Sequence, residues 1–306
     1  MNAKIVIVSS TGTSTVSEEL LSFTFRKDKY TPYTMLNARF AASEDSNFMS
    51  ASEAKLYVDD ILVHHGLIDT ISLSLEGGCN IARLVSRGFT SLLCQNQIEP
   101  GLKEGVSINS LMDSFYTFPY ITHENNSDSS SYIFVKDNSS MWEAVANLSY
   151  KLCGTYPYIR GTNCVRITRV PEPNEYTFAN SDITASGTEL NCRRTASHFH
   201  MSDLMGDYGT YEYEDSSISS LGIVRHIFFE LDKQFLNEPE SALVYRDKFL
   251  SRGMRRRFIR FCGYNGCDLS DIVTFGVLSE RRIDTVYITG SDKGIFTEIG
   301  VYNDHF

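Results

Sequence analysis

The sequence predicts a mainly β protein with an α+β module in its middle, and three observations carry that prediction. From Lys55 to Leu75 the residues Leu56, Val58, Ile61, Val63, Leu67, Ile68, Ile71, Leu73 and Leu75 recur mostly at two-residue steps, the period of strands with one buried face. The aromatic residues are 17 Tyr and 19 Phe with one Trp, beside only 7 Pro, a mix that suits pleated, half-buried surfaces. In the middle of the chain the apolar period lengthens to that of helices. With 306 residues, 42% of them hydrophobic, the chain has material for a sizeable core and about two domains.

An N-terminal sheet is expected over roughly residues 4 to 95. Turn-like Asp59-Asp60 and Gly66 divide its alternating stretch, Gly77-Gly78 makes the next break, and Ile81 to Leu93 reads as extended. Ser43 to Ser52 reads as a polar loop or short helix. Residues 96–124 form a crossover: Cys94 to Gly105 is too polar and broken for a strand, and Ile108, Leu111, Met112 and Phe115 then mark a short helix. Residues 125–170 read as a β-α-β-β module. Tyr132 to Val135 is its first strand, after the solvated run Glu124 to Ser131. Ser140 and Glu143 make a capping box for a helix that buries Met141, Ala144, Val145, Leu148 and Leu152 and ends near Gly154. Tyr156 to Arg160 and Cys164 to Thr168 pair across Gly161-Thr162-Asn163.

After Pro171-Glu172-Pro173, residues 171–306 return to β patterning through Gly209 to Tyr213 and Ile223 to Leu231. A helix is expected near 240–250, after Pro239. Phe258 to Cys262 fits helix or strand. Arg282 to Thr289 and Ile295 to Val301 alternate across Gly290 to Gly294 as a closing hairpin. Two β-rich blocks thus flank the middle module, with no close sequence repeat between them.

The net charge of −10 repels phosphate backbones and argues against a general nucleic-acid binder. The early apolar run Ile5 to Val8 is far short of a bilayer span, so neither signal peptide nor membrane anchor is expected. The odd set Cys79, Cys94, Cys153, Cys164, Cys192, Cys262 and Cys267 reads as reduced, mostly buried thiols rather than a disulfide framework.

Candidate chemistry is sparse. His198 and His200, with Cys192 nearby, could begin a zinc site, but no second ligand pair follows at a matching spacing, so they read as strand histidines. Cys262-Gly263-Tyr264-Asn265-Gly266-Cys267 has the wrong gap for a redox motif and reads as a turn with buried thiols at either end. His64-His65 reads as one inward and one outward residue. No nucleophile elbow, phosphate-binding glycine loop or zinc-protease motif is present. The acidic groups Glu18-Glu19, Asp59-Asp60 and Glu212 to Asp215 read as solvated. We therefore expect no enzyme, no cofactor and no metal site. One charge feature opposes the composition: Arg252, Arg255, Arg256, Arg257 and Arg260 lie within nine residues. They suit either a contact with an acidic partner or another copy of the chain, or an internal network with acids such as Asp268, Asp271 and Glu280.

Longer strings carry a resemblance. The run Lys27 to Thr34 (KDKYTPYT), His65-Gly66-Leu67-Ile68-Asp69, and Ser86 to Leu93 (SRGFTSLL) followed by Gln95-Asn96-Gln97 resemble the baseplate hub proteins of contractile phage tails and phage-tail-like bacteriocins, of the late control protein D type. Trp142 in its helix, Tyr156-Pro157-Tyr158, the Arg252 to Arg260 block and Lys293 to Glu298 extend the similarity over nearly the whole chain.

The resemblance implies two tail-tube-like β-barrel domains per chain, the first including residues 1–95 and the second 171–306. It implies a homotrimer acting as symmetry adaptor between the hexameric tail tube and the trimeric central spike, within a particle assembled in the bacterial host cytoplasm. Partners would be further copies, a tail tube or tube-initiator protein, the spike and other baseplate proteins. No catalytic residues carry over. Two rival readings remain: a tail-associated cell-wall hydrolase, which needs a carboxylate or thiol of perturbed pKa in a cleft, and a carbohydrate-binding β-protein, which needs exposed aromatic platforms beside a groove.

Overall fold

The computed structural model describes residues 2–17, 20–42, 48, 50–115, 117–235 and 238–303. Glu18-Glu19, and positions 43–47 and 49 of the expected polar loop, lie outside the described residues. The chain is mainly β, with a large sheet curled into a half-barrel.

The N-terminal block supplies β1 (Ala3–Ser9), β2 (Ser14–Ser17), β3 (Leu20–Asp28), β4 (Met35–Ala41), β5 (Ala51–Val58), β6 (Ile61–Glu76) and β7 (Cys79–Gly88). Asp59 and Asp60, at φ 46° and 64°, make the tight turn from β5 to β6, the left-handed geometry that two-residue hairpins require. Gly66, expected as a break, instead lies inside the 16 residues of β6. It stands opposite Gly88, and a Cβ on it would collide with the Arg87 carbonyl, so its role is close backbone approach rather than a turn. The extended stretch expected to reach Leu93 stops at Gly88: Phe89–Ser91 is a 3-10 turn and α1 (Leu92–Gln95) follows. Phe89, Thr90, Ser91 and Leu93 are all buried, and a wholly buried run has no period to tell strand from helix.

The middle of the chain continues with β8 (Gly101–Ser107), α2 (Ile108–Asp113), β9 (Thr122–His123), β10 (Ser129–Val135), α3 (Met141–Cys153), β11 (Tyr158–Arg160) and β12 (Cys164–Arg166). β8 corrects the expectation of an unstructured crossover. Its order comes from pairing with β10, which also reaches back into the expected solvated loop. The capping box of α3 is present: the Glu143 amide donates to Ser140 Oγ (3.2 Å) and the Ser140 amide to Glu143 Oε2 (2.6 Å). Gly154, left-handed at φ 63°, ends the helix. Leu93, Ile108, Leu111, Ile133, Trp142, Val145, Leu148 and Val165 form this module's core.

The C-terminal block adds β13 (Glu175–Phe178), β14 (Ile183–Leu190), β15 (His198–Met201), β16 (Tyr211–Glu214), α4 (Ser216–Ser219), β17 (His226–Phe229), α5 (Pro239–Ser251), β18 (Arg255–Cys262), β19 (Ile272–Phe275), β20 (Leu278–Arg282), β21 (Thr285–Ser291) and β22 (Gly294–Tyr302). The open choice at 258–262 resolves as strand. β21 and β22 are the expected closing hairpin, whereas Arg282 belongs to β20.

The two β-rich blocks meet in one eleven-stranded sheet, ordered β14-β18-β22-β21-β3-β4-β7-β6-β5-β1-β2. The seam is β21 against β3, in register from Thr285↔Asp28 to Gly290↔Phe23. One face of the curl buries Ile5, Phe23, Phe25, Leu36, Leu56, Leu84, Ile259, Val286, Ile288 and Ile299 in a common core. The middle module is pinned to this sheet by polar contacts. Lys27 of β3, fully buried, pairs with Asp268 and donates to the Gly161 carbonyl (2.6 Å), and Asn163 Nδ2 donates to the His65 carbonyl (3.0 Å). Burial holds the Lys27 pKa below its usual value, against the pull of Asp268. A separate small sheet, β16-β15-β17, packs on α5 around Phe199, Met201, Ala242 and Leu243.

Candidate functional site

The strings that carry the resemblance meet in space. Gly66, Leu67 and Ile68 of β6 lie opposite Gly88, Arg87 and Ser86 of β7. Arg87 grips Asp69 through two bonds of 2.6 and 2.8 Å, the bidentate fork that fixes geometry as well as charge. Ser86 Oγ donates to the Leu67 carbonyl (2.7 Å) and lies 2.9 Å from His64 Nε2, while His64 Nδ1 lies 2.8 Å from Thr34 Oγ1. His64 and His65 take opposite faces of β6, as adjacent strand residues do, yet both are buried, at 0% and 7% exposure, because the outward face is covered too. Phe89 and Tyr120 cover the His65 side of the sheet. Burial, with a small contribution from His65, pushes the His64 pKa down to about 3.

The arginine cluster divides by strand parity. Ile259 and Phe261 of β18 enter the core, so Arg256, Phe258 and Arg260 take the opposite face. Arg256 is buried: its guanidinium lies 2.7 Å from Glu298, 3.6 Å from Glu189 and 3.0 Å from Thr285 Oγ1. Arg260 reaches Thr289 (3.3 Å) and covers the Phe296 ring. Arg252 stacks on Phe249 at 3.6 Å. Arg255 and Arg257 are exposed. The internal network therefore exists, but its acids are Glu298 and Glu189, delivered by the strands flanking β18. Asp268 and Asp271 serve Lys27 and Arg160 instead.

His198 and His200 share one face of β15, and parallel pairing brings His226 beside them. His200 bonds Glu212 through Nδ1 (3.0 Å) and His226 through Nε2 (2.9 Å), while the His198 ring stacks on His226 at 4.3 Å. His226 lies 26 residues beyond His200 and carries no local signal. Both ring nitrogens of His200 are thus occupied by hydrogen bonds. Among the described residues no group of three or more His, Cys, Asp or Glu is set to hold a metal ion.

A perturbed carboxyl sits behind this sheet. Burial and the neighbouring Asp215 carboxylate push the Asp247 pKa up to about 7, and Tyr213 OH lies 3.5 Å away. Asp215 itself caps α4, accepting from the Ser217 amide at 2.8 Å. Neither aspartate lines the cavity of about 250 Å³ at the edge of β20 or that of about 460 Å³ beside Lys4 and Tyr57. All seven cysteines are free thiols, but only Cys267 is buried, and Cys79 and Cys262 are exposed. Cys262 points off the core face of β18, so burial of both thiols around that turn does not hold. No helix among the described residues is long and apolar enough to cross a membrane.

No protein-family model matches the sequence, and no curated protein matches it closely. Solved structures do match its fold. A tail protein from Neisseria meningitidis MC58 is similar over 98% of this chain and 96% of its own, with TM-score 0.71 at 11% identity. The 43 kDa tail protein of prophage MuSo2 from Shewanella oneidensis is similar over 98% of both chains, with TM-score 0.71 at 13% identity. An E. coli component of the type VI secretion system, described as structurally similar to two T4 bacteriophage tail proteins, is similar over 93% of this chain and 74% of its own, with TM-score 0.58 at 7% identity. At these identities the likeness is one of fold.

Proposed function

We propose that the chain is a structural baseplate hub of a contractile tail or tail-like particle, a non-enzymatic homotrimer that adapts the hexameric tube to a trimeric spike. The observation that carries this reading is the end-to-end fold likeness to two tail proteins. The sheet supports it. Its outermost strands, β14 and β2, are largely exposed, with Leu190 at 57% and Val16 at 55%, and open sheet edges invite pairing with another chain. A head-to-tail ring of three copies, β14 of one beside β2 of the next, closes those edges by a heterologous contact. The seam β21–β3 then marks where the first tube-like unit (within 1–95) joins the second (within 171–306), and two units per chain let three copies imitate six.

Against the hydrolase rival, the perturbed Asp247 carboxyl lies behind a sheet, apart from both cavities named above. Within the arginine cluster, exposed Arg255 and Arg257 are the residues available for subunit contact, and Arg256 is not.

The test is copy number and place. The expected result is an assembly of about three times the 34.6 kDa chain mass, with a tag on the chain imaged at the baseplate end of the particle. Tags distributed along the tail, or six copies per particle, would overturn the reading. The Arg255→Ala/Arg257→Ala variant should keep its melting temperature yet lower particle yield; normal assembly would remove these two residues from the interface.

A further inference from the structure

We infer that the cavity at the free edge of β20 is a docking site for an extended, carboxylate-rich segment of a partner protein. This does not rest on the hub reading. The cavity, about 250 Å³, opens between the middle module and the C-terminal block, and its lining includes Lys29, Arg169, Arg281, Arg282, Tyr158 and Tyr302. Four cations around one cavity stand out in a chain of net charge −10.

Two acids also line it. Asp284 is engaged, 3.4 Å from Lys29 and accepting from the Tyr302 amide at 2.8 Å. Glu280 is exposed and makes no ion pair among the described residues. None of the three arginines has a carboxylate within salt-bridge distance among those residues. Arg169 and Arg281 are exposed at the mouth. Arg282 is half-buried, and its Nη1 is spent on neutral acceptors: the Ser270 carbonyl (2.7 Å), Ser270 Oγ (3.0 Å) and the Val170 carbonyl (3.5 Å). Those bonds fix the guanidinium plane without a direct ion pair; burial, then the charge of Arg169, lowers its pKa, with Tyr158 and Asp271 opposing at longer range. A fixed guanidinium with no carboxylate within salt-bridge distance, flanked by two exposed ones, is suited to planar carboxylates.

The backbone specifies an extended occupant. β20 is the outer strand of the β13-β19-β20 sheet and pairs only with β19, so its other edge offers amides and carbonyls to an added strand. Arg281 and Arg282 are adjacent in β20 and take opposite faces, so an acidic strand laid there meets Arg281 with the carboxylates of one face and Arg282 with those of the other.

The experiment uses the full chain and a fluorescein-labelled peptide of consecutive Glu residues, which carries carboxylates on both faces of a strand, followed by fluorescence anisotropy at about 50 mM salt, where screening is modest. Saturable binding is expected, weakened about tenfold in Arg169→Ala/Arg281→Ala and retained within about twofold in Arg255→Ala/Arg257→Ala, which removes the same charge elsewhere. Both pairs are exposed, so matched melting temperatures should accompany the comparison. No saturable binding by the wild type would overturn the proposal. Equal loss in both double variants would reduce it to general charge attraction, and displacement by inorganic phosphate as effective as by unlabelled peptide would make the cavity a small-anion site; either result would overturn it too.

Discussion

Two pairs of histidines, each on a strand and each next to acid, meet opposite fates in this chain. His64 and His65 of β6 are sealed by the Thr34 and Ser86 hydroxyls, the Phe89 and Tyr120 rings and Asn163 of the middle module. His198 and His200 of β15 face outward onto Glu214, Glu212 and a third histidine. His64 and His65 are neighbours on opposite faces of β6, and His198 and His200 share one face of β15, so the contrast lies in cover: both faces of β6 are covered at the first pair, while the second pair is only half-buried. Phe228 stacks on His200 yet is 59% exposed, and Leu204 and Met205 after β15 and Val224 before β17 are 86, 85 and 68% exposed. Patches of that kind mark contact surfaces more often than catalytic ones.

The covered region is where the fold should break first. A Cβ at position 66 has no room against the Arg87 carbonyl, and backbone cannot rotate away as a side chain does. Gly66→Ala should therefore cost roughly 3 kcal/mol or more, among the largest single-site effects, read as the shift in the urea midpoint. A loss below about 1 kcal/mol would show that β6 and β7 can separate locally.

Acid offers the next contrast. The His64 pKa is depressed to about 3 from 6.5, so its stabilising effect is fully present above pH 6.5 and is lost as pH falls from there toward 3. At pH 4 that loss is on the order of 3 kcal/mol. In His64→Gln the slope of stability with pH over this window should flatten, whatever the variant costs at neutral pH. A slope as steep in His64→Gln as in the wild type would show that burial of this imidazole does not govern the acid response.

Local signals were legible in the sequence and distant ones were not. The capping box Ser140/Glu143, the Asp59-Asp60 turn and the β21–β22 hairpin each lie within one short continuous stretch of chain, and each forms as expected. Gly66 carries the same letter whether it turns a chain or lets two strands touch, so its role waited on β7. β8 is too polar to announce itself and borrows order from β10. The acids of Arg256 sit 42 and 67 residues away, which is why nearer acids looked like the natural partners. His226 reaches His200 by parallel pairing, a relation with no local spacing at all. Of the candidate interface, Arg255 and Arg257 alone keep the exposure that reading requires: they share the face of Ile259 and Phe261 but lie at the start of β18, where that face is exposed, whereas Arg256 on the other face is buried by acids from the flanking strands, so periodicity alone does not separate them.

The smallest effect sharpens the comparison from the open side. Asp247 on α5 supports the β15–β17 sheet from behind, and its pKa is raised to about 7 from 3.8 by burial and by Asp215. A raised carboxyl binds its proton more tightly in the folded state, so its favourable state is complete below pH 3.8 and is lost as pH rises through 7. Asp247→Asn removes that titration. The group is only partly buried, and solvent screening discounts the effect to on the order of 1 kcal/mol at pH 8, with almost none at pH 4. The gain should appear as a higher melting temperature for Asp247→Asn at the alkaline end alone. Since His64 loses stability in acid and Asp247 loses it in base, the two windows run in opposite directions. A variant that gained equally at both pH values would show that Asp247 acts by packing rather than by charge.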